Sequence, residues 1–439
     1  MTANSLAEIL RLPASEVDRA LLRLEASGAV LRGQFTQICS TEWCGRRQLA
    51  RIHRMTLGAL RAQVAPVTPS QFMIWLLDWQ RLAPGTQARG ERGLLEVIRQ
   101  LQGFEIPASS WEPQVLARRV ADYDPKVLDQ LCLTGSIGWG RISPHPATLD
   151  QGGQGGQVGK DGEHRLGSRR VAPSSVAPIA FFVREDADWM MPRHGDPSRA
   201  AAGLSHAGRQ VLEFLRQRGA SFFADIVRGT AKLKAEVETG LWELVAAGWV
   251  TADGFDNLRA LIDPKRRAGQ GQGRTSRPRH STGRWSLLFS GQPVDRTRAA
   301  EAIGKMLLER YGVVFRELLA RENFEVKWRE LLLGFRRLED RGEVRGGRFV
   351  DGFLGEQFAL PVAVESLRAR RNAGPARVTV TLSAADPLNL VGIVIPGERV
   401  PALSARRVVL RDGVLIAEAQ VSSSGEARVY PTAALGAVL

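Results

Sequence analysis

Basic side chains between residues 327 and 348 are the strongest candidates for chemistry in this 439-residue sequence. Five lie on or beside a predicted helix and two lie on the segment after it: Lys327, Arg329, Arg336, Arg337, Arg341, Arg345 and Arg348. Lysine and arginine neutralise DNA phosphates and release their counterions, which supplies a large share of DNA-binding affinity. The cluster therefore predicts contact with a nucleic-acid backbone. The alternative interpretation is that these arginines only solvate an exposed helix face and contact no nucleic acid.

Similar helices earlier in the chain carry a different balance of charge. The first offers three further candidates for DNA contact, Arg19, Arg23 and Arg32, but it also contains Glu16, Asp18 and Glu25. A helix near residue 240 carries Glu236, Glu238 and Glu243, which phosphates would repel. We therefore predict that the helix near residue 330 contacts DNA and that the one near residue 240 packs against protein.

The cysteines do not form a recognisable metal site. Cys39, Cys44 and His53 would supply only three ligands, whereas zinc sites usually combine CxxC pairs with four ligands. We predict reduced structural cysteines and no metal. The total of three cysteines, an odd number, is typical of a reducing cytosol.

Nucleotide hydrolysis is also excluded by the motifs. The Gly304-Lys305 pair is followed by Met306 and has no glycine at the upstream spacing of a phosphate-binding loop. The chain by itself is therefore predicted to hydrolyse no ATP and to bind no cofactor.

Composition and charge indicate the class of protein and of partner. Hydrophobic residues make up 44% of the chain, enough for several cores, and its length predicts about three domains. The net charge of +14, from 60 Lys+Arg and 46 Asp+Glu, favours a polyanionic partner. The N-terminus has no signal-peptide core, and no apolar run approaches the ~18 residues of a membrane span. We expect a soluble cytoplasmic protein with no membrane partner.

A short pattern repeats four times at roughly the spacing of small domains. Each copy is a helix ending in Leu-x3-Gly and followed by a β-prone residue, with the glycines at Gly28, Gly135, Gly248 and Gly342. Glycine suits the left-handed position that ends a helix, and the β-branched residue after it begins a strand. The repeat predicts four related modules.

The fourth copy has the complete pattern of a winged helix. Helices are predicted over 297–310, over 314–321 and around the apolar stripe from Trp328 to Leu338, followed by a two-stranded wing turning at Gly346-Gly347. This order is the helix-turn-helix variant that binds DNA grooves. The third copy repeats it over 208–247, whereas the first lacks the opening helix. We therefore expect this chain to be part of a longer polypeptide.

The predicted fold class is mainly α with small β: tandem winged-helix modules followed by a small C-terminal β-barrel. Segments 144–174 and 263–284 lack a hydrophobic period and are predicted as flexible linkers, the second strongly basic. Residues 42–120 are predicted to be helical throughout, and strands are predicted at RVTVTL, LVGIVI, RRVVL and VLIAEA with a hairpin at Asp412-Gly413. The boundaries are 1–40 (partial winged helix), 41–143 (helical region with a second winged-helix-like module), 144–174, 175–262 (third), 263–284, 285–360 (fourth) and 361–439 (barrel).

Several long strings resemble one known family. They include EWCGRRQLARIHRMTL, PVTPSQFMIWLLDWQ, LLEVIRQLQGFEIPASSWE, YDPKVLDQLCLTGSIGWGRIS, LLERYGVVFRELL, RGEVRGGRFVDGFLGEQFALP and SAADPLNLVGIVIPGERVPAL. Together they resemble the C-terminal region of the bacterial large helicase-related (Lhr) proteins, which are superfamily 2 DNA repair helicases. The resemblance runs from about residue 5 to residue 414 and is interrupted at both predicted linkers.

The resemblance implies more than the residues do. Family members carry an ATP- and Mg-dependent 3′-to-5′ motor followed by an extension of winged helices and a β-barrel, which assembles into homo-oligomers, reported as tetramers. The extension is similar to AlkZ-type DNA glycosylases, and uracil-DNA glycosylase activity has been attributed to it in some members. We expect a DNA-binding and oligomerisation region that serves a motor, fused or separate, on single-stranded or tailed duplex DNA.

The alternative function is a uracil-DNA glycosylase. Such an enzyme flips the base out of the helix and needs an acid or base near the sugar. Asp124 and Asp386 are possible carboxylates, although each has the sequence context of a helix cap or a turn. Gln270 and Gln272 match the Gln-x-Gln or Gln-x-Asp signature of AlkZ-like enzymes by letters, but they lie within a predicted linker. Whether the chain is an enzyme stays open at this point.

Overall fold

The computed structural model describes residues 1–36, 40–62, 65–143, 177–190, 204–262, 283–288, 295–324, 326–374, 378–403, 405–421 and 427–431. The chain divides into a smaller unit, residues 1–66 with 346–348, and a larger unit made of the rest. Each unit is described by itself. The first predicted linker, residues 144–174, lies outside the described residues, as do Cys39, Gln270 and Gln272.

The N-terminal module contains two helices followed by an antiparallel strand pair. Its elements are α1 (Ala3–Leu10), α2 (Ala14–Ala26), β1 (Val30–Gly33), β2 (Glu42–Gly45) and α3 (Arg46–Ala62). Trp43 of β2 packs in the core with Ala7, Val17 and Leu21. The prediction of helix from Glu42 onward is therefore wrong at its start, because residues 42–45 pair with β1. The domain boundary predicted at residue 40 falls between β1 and β2, within this strand pair.

The second module combines helices with very short strands. Its elements are α4 (Pro69–Trp79), β3 (Ala88–Arg89), α5 (Gly90–Leu101), β4 (Ile106–Pro107), α6 (Ala108–Ser110), a π-helical turn (Trp111–Leu116), α7 (Ala117–Arg119), β5 (Val120–Ala121), α8 (Pro125–Leu133), β6 (Ile137–Gly140), β7 (Pro178–Val183) and a 3-10 helix (Arg184–Trp189). Residues 67–120 are thus helical with strand interruptions. We had predicted β7 in the third module, but it pairs with β6 and β4 and completes this module's sheet.

The third module extends further than predicted. Its elements are α9 (His206–Arg218), β8 (Ser221–Phe222), α10 (Phe223–Thr230), α11 (Lys234–Ala246), β9 (Val250–Ala252), α12 (Phe255–Ile262) and β10 (Arg284–Leu287). β10 lies between β8 and β9, so the sheet closes with a strand from beyond the second predicted linker. Arg284, predicted in that linker, lies in β10 and its Nε is 2.8 Å from an oxygen of Asp253. The other basic residues of the linker lie outside the described residues.

The fourth module has the predicted helix order. Its elements are α13 (Arg296–Tyr311), β11 (Val313–Val314), a 3-10 helix (Arg316–Arg321), α14 (Trp328–Asp340), β12 (Arg345–Gly347) and β13 (Gln357–Ala359), followed by α15 (Pro361–Asn372). The predicted turn at Gly346-Gly347 is wrong, because both glycines lie in β12. The chain turns later, where Gly352 and Gly355 have φ of 83° and 95°. The buried Gln357 side chain accepts hydrogen bonds from the backbone N–H groups of Phe349 and Val350 and donates one to the Val350 oxygen, which ties β13 to the segment after β12.

The C-terminal segment forms an antiparallel sheet. Its strands are β14 (Thr379–Ser383), β15 (Arg406–Arg411), β16 (Val414–Val421) and β17 (Ala427–Pro431), paired in that order. Asp412 and Gly413, with φ of 49° and 75°, form the predicted hairpin turn. LVGIVI (390–395) is a buried turn, because a continuous apolar run does not by its period distinguish a strand from other buried structure. The described strands form an open sheet, so the predicted barrel is not confirmed.

The four repeated glycines end their helices as predicted. Gly28, Gly135, Gly248 and Gly342 have φ between 73° and 79°. This is the left-handed region, which side chains with a Cβ adopt at a cost of roughly 1–2 kcal/mol. The repeat therefore marks four real helix-to-strand junctions. Among the described helices, none combines the length and hydropathy that a bilayer span requires.

Gly342→Ala tests this interpretation, because a Cβ at Gly342 would meet no atom within 4 Å. Only the backbone conformation should then penalise alanine, and we expect a loss of roughly 1–2 kcal/mol in the free energy of unfolding, measured by urea denaturation. Gly374→Ala is the matched control, since Gly374 also has open space but no positive φ. Equal effects of the two substitutions would contradict the left-handed requirement.

Candidate nucleic-acid interface

Helix α14 is positioned by an apolar face that packs against α13. Leu331, Phe335 and Leu338 are fully buried, and Gly334 allows the backbone of Glu301 on α13 to approach closely. The opposite face is exposed, with Arg329, Leu333 and Arg336 along one stripe. The third helix of a winged helix presents this outer side to DNA. The helical period of the sequence therefore places Arg329 and Arg336 on the exposed face of α14.

Four of the seven candidates in this module are exposed cations without an ion pair among the described residues. They are Lys327 at the N-terminal cap of α14, Arg329 in its first turn, Arg345 on β12 and Arg348 just after it. Lys327, Arg329 and Arg345 belong to the larger unit, whereas Arg348 is grouped with the smaller one. A cation without a local carboxylate can bind a phosphate without first losing a partner.

The other three candidates are paired with acids of their own module. Arg336 lies 2.8 Å from Glu356, Arg337 lies 3.5 Å from Glu301, and Arg341 contacts both Glu301 and Glu343. These pairs are largely exposed, and such pairs contribute about 0–1 kcal/mol. They are weak enough for a phosphate to replace the carboxylate. They nevertheless lower the net charge of the surface that Arg336, Arg337 and Arg341 were predicted to provide.

Arg341 is the most firmly engaged of the three. Hydrogen bonds to Glu343 and then to Glu301 raise the pKa of its guanidinium, and contacts with Lys305 and Arg341 lower the pKa of the Glu343 carboxyl. Sequence reasoning missed Glu301, Glu343 and Glu356 as partners. Glu343 is only two residues from Arg341, but the other two come from segments that meet α14 only in the folded module.

The N-terminal module presents a smaller set of basic residues. Arg19 and Arg23 are exposed on α2 and have no ion pair among the described residues. Arg32 on β1 lies 3.4 Å from Glu25, and its guanidinium stands 5.8 Å from the centre of the Trp43 ring. Arg19 and Arg23 are therefore available for a ligand, whereas Arg32 already has local partners.

The third module uses acidic residues to hold its own helices. Glu243 accepts hydrogen bonds from the backbone and hydroxyl of Ser205, and Glu236 accepts one from the backbone of Leu233. This module shares one hydrophobic core with the second, where Trp139 contacts the rings of Phe255 and Trp285. The structure therefore places the third module against the second.

Both candidate carboxylates for base excision accept structural hydrogen bonds. Asp386 is 1% exposed and forms a double hydrogen bond with the buried guanidinium of Arg119, at 2.7 and 2.9 Å. Asp124 caps α8 by accepting a hydrogen bond from the backbone of Lys126. Both residues have the structural roles that their sequence context favours.

The described residues also contain no group of His, Cys, Asp and Glu that would hold a metal ion. Cys39 lies outside the described residues, so the three-ligand set with Cys44 and His53 is not tested as a whole. Burial raises the pKa of the Cys132 thiol to about 12, which keeps it protonated and unreactive.

Comparisons with known proteins identify relatives of this fold. Family models described as large helicase-related protein, winged-helix domain, match residues 67–161 as the third such domain and 293–379 as the fourth. The chain is 32% identical over 432 residues to the Lhr helicase/probable uracil glycosylase of Mycolicibacterium smegmatis and 29% identical over 437 residues to the Lhr helicase/uracil glycosylase of Escherichia coli. These alignments cover 90% and 92% of this chain.

The chain spans 26% of the length of each of these two relatives. Among solved structures, the DNA glycosylase AlkZ of Streptomyces sahachiroi matches with a TM-score of 0.48 at 16% identity, covering 85% of this chain and 93% of AlkZ. That likeness is too weak to support an argument. The family of this chain is therefore indicated by the two winged-helix family models and the two sequence relatives.

Proposed function

Because this chain belongs to the Lhr family, as its C-terminal winged-helix region, we propose that it binds DNA through its fourth module. It would hold single-stranded or tailed duplex DNA for an Lhr-type motor, fused to it or carried on another chain. ATP and Mg would be used by that motor and not by the residues of this chain. The observation that carries the proposal is the set of exposed cations Lys327, Arg329 and Arg345, which have no ion pair among the described residues.

The geometry of the fourth module supports this function in two ways. Arg329 and Arg336 lie on the outer face of α14, the helix that winged helices direct toward a groove, and Lys327 stands at its N-terminus. The positive end of a helix dipole lies at the same place and favours an anion there. Arg345 adds a cation on the wing strand β12. Helix and wing contribute separate contacts to the phosphate backbone.

The salt dependence of DNA binding tests the proposal directly. If Lys327, Arg329 and Arg345 each neutralise one phosphate, the logarithm of the binding constant should fall with the logarithm of salt with a slope of about −3 or steeper. Fluorescence anisotropy with labelled duplex and tailed DNA, between roughly 50 and 200 mM salt, measures this slope. A slope near zero would mean that phosphate contacts do not supply the affinity.

Uracil-DNA glycosylase activity is the second candidate, because both sequence relatives carry that activity in their names. For this chain it would need an acid or base that can approach a flipped nucleotide. Asp386 and Asp124 are both engaged in structural hydrogen bonds. DNA binding is therefore the better supported function.

Assembly into a homo-oligomer, with the tetramer that the resemblance implies, is part of the proposal as well. We also propose that the C-terminal strands belong to a closed barrel and that the protein is cytoplasmic. Sedimentation of the purified chain at several concentrations distinguishes a tetramer from a monomer.

A further inference from the structure

Two arginines far apart in sequence face the same small cavity in the larger unit. The cavity has a volume of about 210 Å³ and is lined by Arg118, Arg407, Thr381 and Ser383, with Leu82 and Pro113 as apolar neighbours. Arg118 lies on α7, directly after the π-helical turn, and Arg407 is the second residue of β15. Neither residue was a candidate in the sequence.

The fold places both residues beside the cavity. Ser383 of β14 pairs with Arg407 of β15, and Thr381 lies on the same face as Ser383 because alternate strand residues share a face. Arg118 donates a hydrogen bond of 3.1 Å to the backbone oxygen of Thr381. Next to it, the fully buried ion pair of Arg119 with Asp386 anchors α7 to the loop after β14. Two arginines and two hydroxyl-bearing residues from two anchored elements therefore line the same cavity.

The cavity has positive charge without a matching acid. Arg118 and Arg407 have no ion pair among the described residues, whereas their sequence neighbours Arg119 and Arg406 are paired with Asp386 and Glu418. Burial, together with the charge of Arg118, lowers the pKa of Arg407. Two guanidinium groups held close together without a counter-charge repel each other, and a bound anion would offset this cost.

We propose that the cavity formed by Arg118, Arg407, Thr381 and Ser383 binds a backbone phosphate of a nucleic-acid strand. Guanidinium groups bind phosphate oxygens with paired hydrogen bonds, and hydroxyls add further donors. Leu82 and Pro113 supply an apolar wall against which a sugar can pack, which a free phosphate would not use. The proposal rests on the proposed function, since it adds a second point of contact for the DNA held by α14.

The test is the double variant Arg118→Gln/Arg407→Gln in the complete chain. Loss of one phosphate contact should weaken DNA binding about tenfold near 0.1 M salt and make the log–log salt slope shallower by about 1, measured by fluorescence anisotropy. Arg92→Gln/Arg406→Gln is the matched control with the same change of charge. Arg92 is exposed on α5, and Arg406 precedes Arg407 on the strand, so its side chain lies on the opposite face. The control should keep the wild-type slope.

The other outcomes separate this proposal from the proposed function. If wild-type chain binds DNA and the double variant binds it with the same slope, the cavity is not a DNA contact. If the variant loses only a stabilisation of the melting temperature by inorganic phosphate, the cavity takes free phosphate and the proposal is overturned. If wild-type chain binds no DNA, the proposed function is wrong, and the cavity proposal is overturned with it. Without ligand, the melting temperature of Arg118→Gln/Arg407→Gln should not fall far below that of wild type, because neither arginine has an ionic partner to lose among the described residues.

Discussion

Reversing Lys327, Arg329 and Arg345 to glutamate is expected to weaken DNA binding roughly a thousandfold near 0.1 M salt. Three phosphate contacts would be lost, and three new carboxylates would repel the backbone. The salt slope should become shallower by about 3 at the same time. The fold should tolerate the change, since all three side chains are exposed and none has an ion pair within the described ranges. Fluorescence anisotropy measures affinity, and circular dichroism checks the fold.

A triple reversal in the third module is the matched control for this experiment. Arg209 and Arg218 on α9 and Lys234 on α11 are exposed and, in the described part of the chain, have no ion pair either. Their reversal to glutamate changes the net charge by the same amount. If affinity depends on the fourth module, the control should lose far less binding than the α14 variant. Equal losses would show that total charge, and not the surface of α14, determines the affinity.

Asp386→Ala is expected to destabilise the chain by about 3–5 kcal/mol, because it leaves the buried charge of Arg119 without a partner. Both side chains are almost completely inaccessible. Arg119 also donates to Gln80 at 2.9 Å, and Asp386 also accepts from the backbone of Leu388. Urea denaturation followed by circular dichroism measures the loss, and the transition that includes the C-terminal sheet should move most.

The double variant Arg119→Met/Asp386→Leu is the control for the ion pair. Apolar replacement of both partners removes both buried charges, so the double variant should recover much of the stability that Asp386→Ala loses. A single Asp386→Ala variant within about 1 kcal/mol of wild type would contradict a structural role. So would an Asp386→Asn variant that stays fully stable but loses cleavage of a uracil-containing oligonucleotide, since that result would make Asp386 a catalytic residue.

Helical periodicity and capping preferences, which depend on neighbouring residues only, were sufficient to predict helix α14 and several helix ends. The 3.6-residue period of Leu331, Phe335 and Leu338 identified α14 and its buried face, and glycine at position 342 identified its end. The caps at Thr68 and Asp124 followed from the preference of these residues for the N-terminus of a helix. These features depend on residues fewer than about ten positions apart, so a single sequence contains all the information they need.

Pairings across long separations were missed. The sequence places the residues of β7 and β10 outside their sheets, because each strand pairs with a partner from beyond a segment whose sequence lacks a hydrophobic period. The six-residue apolar run LVGIVI was assigned to a strand, although it is a buried turn with Gly392 at φ of 75°. A short apolar run reports only that it is buried, and its neighbours decide its conformation.

The sequence by itself determined the family, the repeated helix-to-strand junctions and the positions of the basic residues on α14, since these follow from residue order and helical period. Only the tertiary structure decided which cations are unpaired. Glu301 and Glu356 reach Arg337 and Arg336 across 36 and 20 positions, whereas Arg329 meets no described acid. The tertiary structure also brings Arg118 and Arg407 to one cavity. Electrostatic interactions depend on distance in space, which the order of residues along the chain does not specify.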